Sequence, residues 1–207
     1  VAPLGDPHAE ALIAARLEDS QLAVRTAAVR ALAGLTHRGD PHALALAGAR
    51  LQHAGPAVRH SAAEALVALT EPGDPHAVEL LTGLLEHADS AVRESAVDVL
   101  AEIAERGDAQ ALNRLGKCLD DECSMVRLAA AEAIPRLARR GDARALVLLE
   151  RCAGDRDRRV RVAAARALPQ VAAPGSSRAL EAVEACLQDR DEEVRCHARR
   201  APARVRP

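Results

Sequence analysis

The sequence has no Phe, Tyr or Trp, one Met (Met125), one Lys (Lys117), one Asn (Asn113) and three Ile. Without aromatic rings no base can stack on a side chain, which removes the usual platform for single-stranded nucleic acid. Residues with AT-rich codons are nearly missing, as a GC-rich genome would produce. The dominance of Arg among 28 basic residues therefore reflects codon usage as well as the bidentate chemistry of guanidinium. No apolar run is long enough to cross a membrane. The first residues lack a basic segment followed by a signal-type apolar core. Five Cys (118, 123, 152, 186 and 196), an odd number without paired spacing, point to reduced thiols in an intracellular compartment.

What is present is Ala, Leu and Val. With 49% hydrophobic and 28% charged residues, the chain has enough apolar surface to fold. Ala and Leu favour helices, and small side chains let helix axes approach towards the short end of the roughly 8 to 10 Å packing range.

A period of 34 residues organises the whole chain: Gly5, Gly39, Gly73, Gly107, Gly141 and Gly175 recur at that spacing. Asp6, Asp40, Asp74, Asp108 and Asp142 follow, with Ser176 in the last copy, and Pro7, Pro41 and Pro75 come next in the first three. Gly ending one helix, Asp or Ser capping the next and Pro in its first turn mark a helix boundary. A first helix of about a dozen residues carries apolar positions such as Leu44, Ala47 and Leu51 at helical spacing. After a short polar turn, a second helix is predicted to open with Val-Arg in every copy, from Val24-Arg25 to Val194-Arg195. The repeats run 5–38, 39–72, 73–106, 107–140, 141–174 and 175–207 within one repeat domain, with 1–4 as the tail of a preceding copy. About twelve helices result. One hairpin cannot bury both of its apolar stripes, whereas stacked hairpins share a continuous core.

Two edges and two prolines depart from the pattern. Val1-Ala2 aligns with the end of a second helix, which predicts an upstream repeat. The last copy places Pro202 where others have Leu or Ile and adds Arg199, Arg200, Arg204 and Arg206, as a polar terminal cap would. Pro135 and Pro169 fall late in second helices, where loss of a backbone N–H is expected to bend or shorten the helix. Free Cys, interior Pro and Ala153 in a Leu position argue against a consensus-designed array.

Turn Asp, Val-Arg, then Ala and Leu at helical spacing resemble HEAT repeats, particularly the bilin-lyase-like subgroup, over all 207 residues. The resemblance implies an all-α fold, a right-handed α-solenoid of six helical hairpins. It also implies a structural ladder between successive hairpins, built from Asp19, Asp121, Asp155 and Asp189 with Arg25, Arg59, Arg93, Arg127, Arg161 and Arg195. His53 and His87 replace the turn Asp in repeats 2 and 3, with Asp89 as a possible stand-in, so the ladder is expected to break there.

Enzymatic members of such families leave marks. The His-Glu dipeptides that hold the two irons of deoxyhypusine hydroxylases are absent, as are a Gly-rich phosphate loop and a Gly-x-Ser-x-Gly elbow. A bilin lyase remains an alternative, although a tetrapyrrole would be expected to use wide apolar contacts. His8, His42 and His76 form a column, but residues one repeat apart lie about 10 Å from one another, too far to share a zinc whose ligands lie at about 2.1 Å. They read as solvated first-turn histidines, and no metal or cofactor is expected. The same separation prevents disulfides among Cys118, Cys152 and Cys186, which read as small apolar fillers.

Charge is divided along the chain. Residues 1–106 hold 8 Arg and 15 acids, whereas 107–207 hold 20 basic residues and 15 acids. The resemblance places second helices on the concave side of the stack, where one column runs Arg30, Glu64, Asp98, Glu132, Arg166 and Arg200, flanked by Glu102 and Arg136. That column is the expected partner-binding surface, and the leading reading is a non-catalytic scaffold or adaptor in a larger assembly, cytoplasmic or in an organelle such as a plastid. Nonspecific binding of nucleic acid or an anionic surface through the basic half ranks below a protein partner.

Overall fold

A computed structural model describes residues 4–200 of the chain, all helix, turn and short connection. Val1, Ala2, Pro202, Arg204 and Arg206, which carry the two edge expectations, lie outside the described residues. The chain divides into two compact units, residues 1–104 and 105–207. This boundary nearly coincides with the division between the acid-rich and base-rich halves of the sequence.

In the first unit, α1 (Pro7–Ala15), extended by a 3₁₀ turn at Arg16–Glu18, pairs with α2 (Leu22–Leu35). α3 (Pro41–Leu51) pairs with α4 (Pro56–Leu69), and α5 (Pro75–Leu84) with α6 (Ser90–Ile103). In the second unit the pairs are α7 (Ala109–Cys118) with α8 (Ser124–Leu137), α9 (Ala143–Ala153) with α10 (Arg158–Val171), and α11 (Ser177–Leu187) with α12 (Glu192–Arg199). Within each unit first helices pack on first helices and second helices on second helices. Twelve α-helices and no strand occur among the described residues. The fold is all-α, an α-solenoid of helical hairpins.

Local chemistry explains the helix starts. The carboxylate of Asp40 accepts from the N–H groups of His42 at 2.9 Å and Ala43 at 3.0 Å, satisfying donors that the first turn leaves unpaired. Asp74, Asp108 and Asp142 cap α5, α7 and α9 in the same way, while the Asp6 carboxylate accepts from His8 alone and the Ser176 hydroxyl from Ala179 alone. Second helices start earlier than the Val-Arg signal suggests. Pro56 and Ser90 are first residues of α4 and α6, which places Val-Arg at the third and fourth helical positions, because the preceding Gly55 or Asp89 already has the extended N-cap conformation.

The repeating glycines do not terminate the helix before them. Thr36 and Thr70 end α2 and α4, and each returns its hydroxyl to the carbonyl four residues back, at 2.9 and 2.6 Å. The glycine N–H instead reaches the last turn of the second helix of its own hairpin, from Gly39 to Leu69 at 2.7 Å and from Gly141 to Val171 at 2.6 Å. This tie needs a left-handed backbone, φ +77° at Gly39 and +84° at Gly141, which an L side chain adopts only with strain. Each of the first five hairpins is thereby closed at its open end by one hydrogen bond.

The core is a row of leucines one repeat apart. Leu32, Leu66, Leu100, Ile134 and Leu168 are all fully buried, and truncation of one to Ala would remove about 2 to 5 kcal/mol. Close approach between first helices is set by Gly48, whose missing Cβ would lie 2.8 Å from a methyl of Leu80. Cys118, Cys152 and Cys186 fill the last turns of α7, α9 and α11 as buried apolar groups. Pro135 and Pro169 do not shorten their helices, since α8 and α10 have 14 residues, like α4 and α6. A proline in the last turn costs one hydrogen bond and leaves the preceding turns intact.

Candidate functional site

The turns between paired helices hold the charged interior. Asp19, Asp121, Asp155 and Asp189 each accept the N–H two residues on, at 2.7 to 2.8 Å. His53 and His87 perform the same turn bond through Nδ1, accepting from Gly55 at 2.9 Å and Asp89 at 3.0 Å. An Arg on the second helix then clamps the turn. Arg25, Arg59, Arg93, Arg127 and Arg161 each donate from one terminal nitrogen to two turn carbonyls, and Arg195 donates to the Asp189 carbonyl.

The link to the next hairpin depends on what stands in its turn. Arg127 forks onto Asp155 at 2.8 and 3.1 Å, and Arg161 onto Asp189 at 2.8 and 3.2 Å. Burial alone would raise both carboxyls, but hydrogen bonds from these guanidinium groups and from the turn N–H groups outweigh it and hold them below their ordinary value of 3.8. In the first unit the facing turns carry His53 and His87 in place of Asp, and so present no carboxylate to the Arg. Arg25 turns its Nε to the hydroxyl of Ser61 at 3.2 Å. The Nε of Arg59 is buried without a hydrogen-bond partner. Asp89 caps α6, its carboxylate accepting from Ala91 at 2.9 Å, and the Arg59 Nε does not reach it. The ladder side chains are consumed by holding turns and neighbours.

The second-helix column is different. In the first unit Arg30 on α2, Glu64 on α4, and Asp98 and Glu102 on α6 are all exposed. In the second unit Glu132 and Arg136 on α8, Arg166 on α10 and Arg200 at the end of α12 are exposed as well. There a cleft of about 250 Å³ lies between α10 and α12, lined by Ala165, Arg166, Pro169, Gln170, His197 and Arg200. A second cleft, of about 370 Å³, lies at the turns beside Glu122, Ser124, Arg127, Arg156 and Asp157. Its charges are mutually satisfied: Arg159 pairs with Asp157 at 2.9 Å and pulls that carboxyl far below the usual range, while Arg156 donates to the Glu122 carbonyl at 3.1 Å.

The three first-turn histidines are exposed, but His42 is more than solvated, since its Nδ1 lies 2.6 Å from the carboxylate of buried Glu10. The sequence reading missed this pair, and Ser61 as a partner of Arg25, because each occurs once and leaves no periodic trace. Burial pushes the thiols of Cys152 and Cys186 up to about 12 and about 11, which keeps them protonated rather than nucleophilic at neutral pH.

The family model for HEAT repeats matches residues 9–101, 51–135, 83–169 and 115–203, which together span nearly the whole chain. The chain belongs to the HEAT-repeat family. Comparison with curated protein sequences gives no match. Among solved structures this HEAT-repeat chain is similar to YibA of Escherichia coli, at TM-score 0.67 and 21% identity over 95% of this chain and 72% of that one. It is also similar to the complex of CpcE and CpcF of phycocyanin lyase from Nostoc sp., at TM-score 0.64 and 22% identity over 78% of this chain and 99% of that one. A designed armadillo repeat protein in complex with the peptide (KR)4 aligns at TM-score 0.56 and 21% identity, over 94% of this chain and 98% of that one. No helix among the described residues is long and apolar enough to cross a membrane.

Proposed function

We propose that this HEAT-repeat chain is a non-catalytic scaffold or adaptor that binds a protein partner through the exposed column of its second helices, as a peripheral subunit of a larger intracellular assembly. The observation that carries the reading is the contrast between two sets of charged side chains. Ladder residues are buried or half-buried and hold the turns, whereas Glu64, Arg166 and Arg200 and their column neighbours stand exposed on the helices. Exposed charges complementary to a partner set rate and register of association more than affinity. Acidic Glu64, Asp98 and Glu102 suit a basic stretch of partner, and Arg166 and Arg200 an acidic one. The designed armadillo relative, solved with a peptide of alternating Lys and Arg, supports peptide capture by a helical array of this type.

A chromophore-handling reading draws on the likeness to phycocyanin lyase, which at that identity extends to the fold alone. The chain supplies no aromatic residue for a tetrapyrrole. The deciding experiment is affinity purification from the source organism, wild type against the triple reversal Glu64→Lys, Asp98→Lys and Glu132→Lys. A stable partner that is lost from the reversed variant supports the scaffold. Equal recovery by both proteins would overturn the column as the binding surface, and bilin transfer by the isolated chain would overturn the non-catalytic reading.

A further inference from the structure

Arg106 and Arg139, in the connections that precede α7 and α9, are each tied to the other's loop. The Nε of Arg106 donates to the Arg136 carbonyl at 3.2 Å, and the Nε of Arg139 donates back to the Arg106 carbonyl at 3.2 Å. The second bond depends on Gly107, since a Cβ on this left-handed residue would run into the Nε of Arg139 and stand 2.9 Å from its Cδ. Both side chains are exposed. They cross one gap in opposite directions, so two positive charges share it.

No acid answers them. Among the described residues neither Arg has an ion-pair partner. Glu105, adjacent in sequence, pairs with neither, and the carboxylates of Asp108 and Asp142 are turned to the first N–H groups of α7 and α9. A guanidinium cannot shed its proton to relieve the repulsion. Lack of an acid partner is common in this unit, as at Arg144, Arg166, Arg190 and Arg200. What distinguishes Arg106 and Arg139 is that main-chain carbonyls hold both guanidinium groups in one gap. The equivalent positions are Arg38 and Glu71 in the first unit, and Arg140 and Ala173 one repeat on, where Arg140 donates to the Ala172 carbonyl at 3.1 Å. Neither set places two cations together. With Nε engaged, each guanidinium keeps its two terminal nitrogens for a ligand and has less side-chain freedom to lose on binding. Two cations in one gap call for two negative charges at one point. A carboxylate or a phosphodiester brings one, whereas a phosphate monoester brings about 1.5 to 2 at neutral pH, with three acceptor oxygens.

We propose that the gap shared by Arg106 and Arg139 is a binding site for a phosphate monoester group, whose oxygens are taken by the terminal nitrogens of the two guanidinium groups. Gly107 acts indirectly, by leaving room for Arg139 to lie across the loop. The site is separate from the column of second helices and does not rest on the scaffold reading.

The test is NMR titration of the full chain with inorganic phosphate, sulfate, acetate, single-stranded DNA and an octapeptide carrying one phosphoserine. Phosphate should bind the wild-type chain and lose about tenfold or more in affinity to Arg106→Gln with Arg139→Gln, the scale of lost charge-assisted bonds. Arg139→Lys, which keeps the charge without the anchored fork, should lose several-fold. Arg144→Gln with Arg190→Gln removes two charges elsewhere on the unit and should change affinity about twofold or less. Equal loss in the two double variants, or no binding of phosphate and phosphoserine peptide by wild type, would overturn the site. Phosphate should also bind more weakly as pH falls through about 6, where the dianion takes up a proton. Sulfate, a dianion throughout, should keep its affinity and thereby exclude titration of groups such as Glu105 as the cause. Acetate competing as well as phosphate would overturn the requirement for two charges. Phosphoserine peptide binding more tightly than phosphate, with the unphosphorylated peptide inert, supports a monoester on a partner's side chain, and equal affinity supports the free ion. Single-stranded DNA binding as tightly as either, and lost in Arg106→Gln with Arg139→Gln, would overturn the monoester in favour of a phosphodiester contact.

Discussion

Arg127 donates two parallel hydrogen bonds to the carboxylate of Asp155, and this pair is the most buried of the polar links from the fourth hairpin to the fifth. The guanidinium is 5% exposed and the carboxylate 11%, so the fork is made away from most solvent, where a charge-assisted bond is stronger than at the surface. The same Arg also holds the Asp121 and Glu122 carbonyls of its own turn. One side chain therefore fixes a turn and places the next hairpin on it.

The corresponding place in the first unit is open to repair. Arg59 has a buried Nε without a partner, and the turn residue one ladder step on is His87. His87→Asp would recreate the Asp-x-Asp turn found at Asp155 and Asp157, keep the turn bond to the Asp89 N–H and offer a carboxylate to Arg59. A stabilisation of about 1 to 2 kcal/mol is expected, read as a higher urea midpoint. His87→Asn, which keeps the turn bond but adds no charge, should show little of it. No gain from His87→Asp would mean that the carboxylate cannot reach Arg59.

How much of this was legible follows from periodicity. The helix starts and the leucine rows could be read because Asp40, Asp74 and their equivalents repeat a chemistry that one helix end requires. The break of the ladder was legible for the same reason, as two His in an Asp column. The role of the glycines was misread, because Gly followed by Asp fits a helix stop as well as a tie from Gly39 to Leu69. Exposure of Arg166 could be guessed from its column. That it stays unpaired could not, because pairing depends on where individual acids such as Glu132 and Glu193 point.

Acid should weaken the second unit through its ladder. Asp155 and Asp189 have carboxyls held below their ordinary value of 3.8 in the folded chain. A depressed carboxyl contributes stability that is present above its unfolded value and lost as pH falls through its folded value. Urea unfolding followed from about pH 5 to about pH 2 should therefore show a falling midpoint. The double variant Asp155→Asn with Asp189→Asn should be less stable at neutral pH and flatter with pH in this range. An unchanged slope would show that other carboxylates carry the acid response.

Glycine in the helices separates propensity from packing. Gly34 and Gly83 lie in α2 and α5, and a Cβ built on either meets nothing within 4 Å. Gly34→Ala and Gly83→Ala should each stabilise by about 0.5 to 1 kcal/mol, the helix preference of Ala over Gly. Gly48 is also helical, but its Cβ would stand 2.8 and 2.9 Å from the two methyls of Leu80. Gly48→Ala should lose that advantage and lower the melting temperature, and Gly48→Ala with Leu80→Ala should recover part of it.

Thiol reactivity gives a direct view of opening in the second unit. Cys152 and Cys186 are each 2% exposed, and burial raises them to about 12 and about 11, so at neutral pH both the access and the thiolate that alkylation needs are missing. Cys196 on α12 is half-exposed. Iodoacetamide at neutral pH, followed by peptide mass spectrometry, should modify Cys196 first and leave Cys152 and Cys186 untouched until the hairpins open. In the double variant Asp155→Asn with Asp189→Asn the buried pair should become labelled sooner, because loosening the ladder raises the population of the open form. Modification of Cys152 at the rate of an unstructured thiol in the wild-type chain would contradict the packing of α9 against α10.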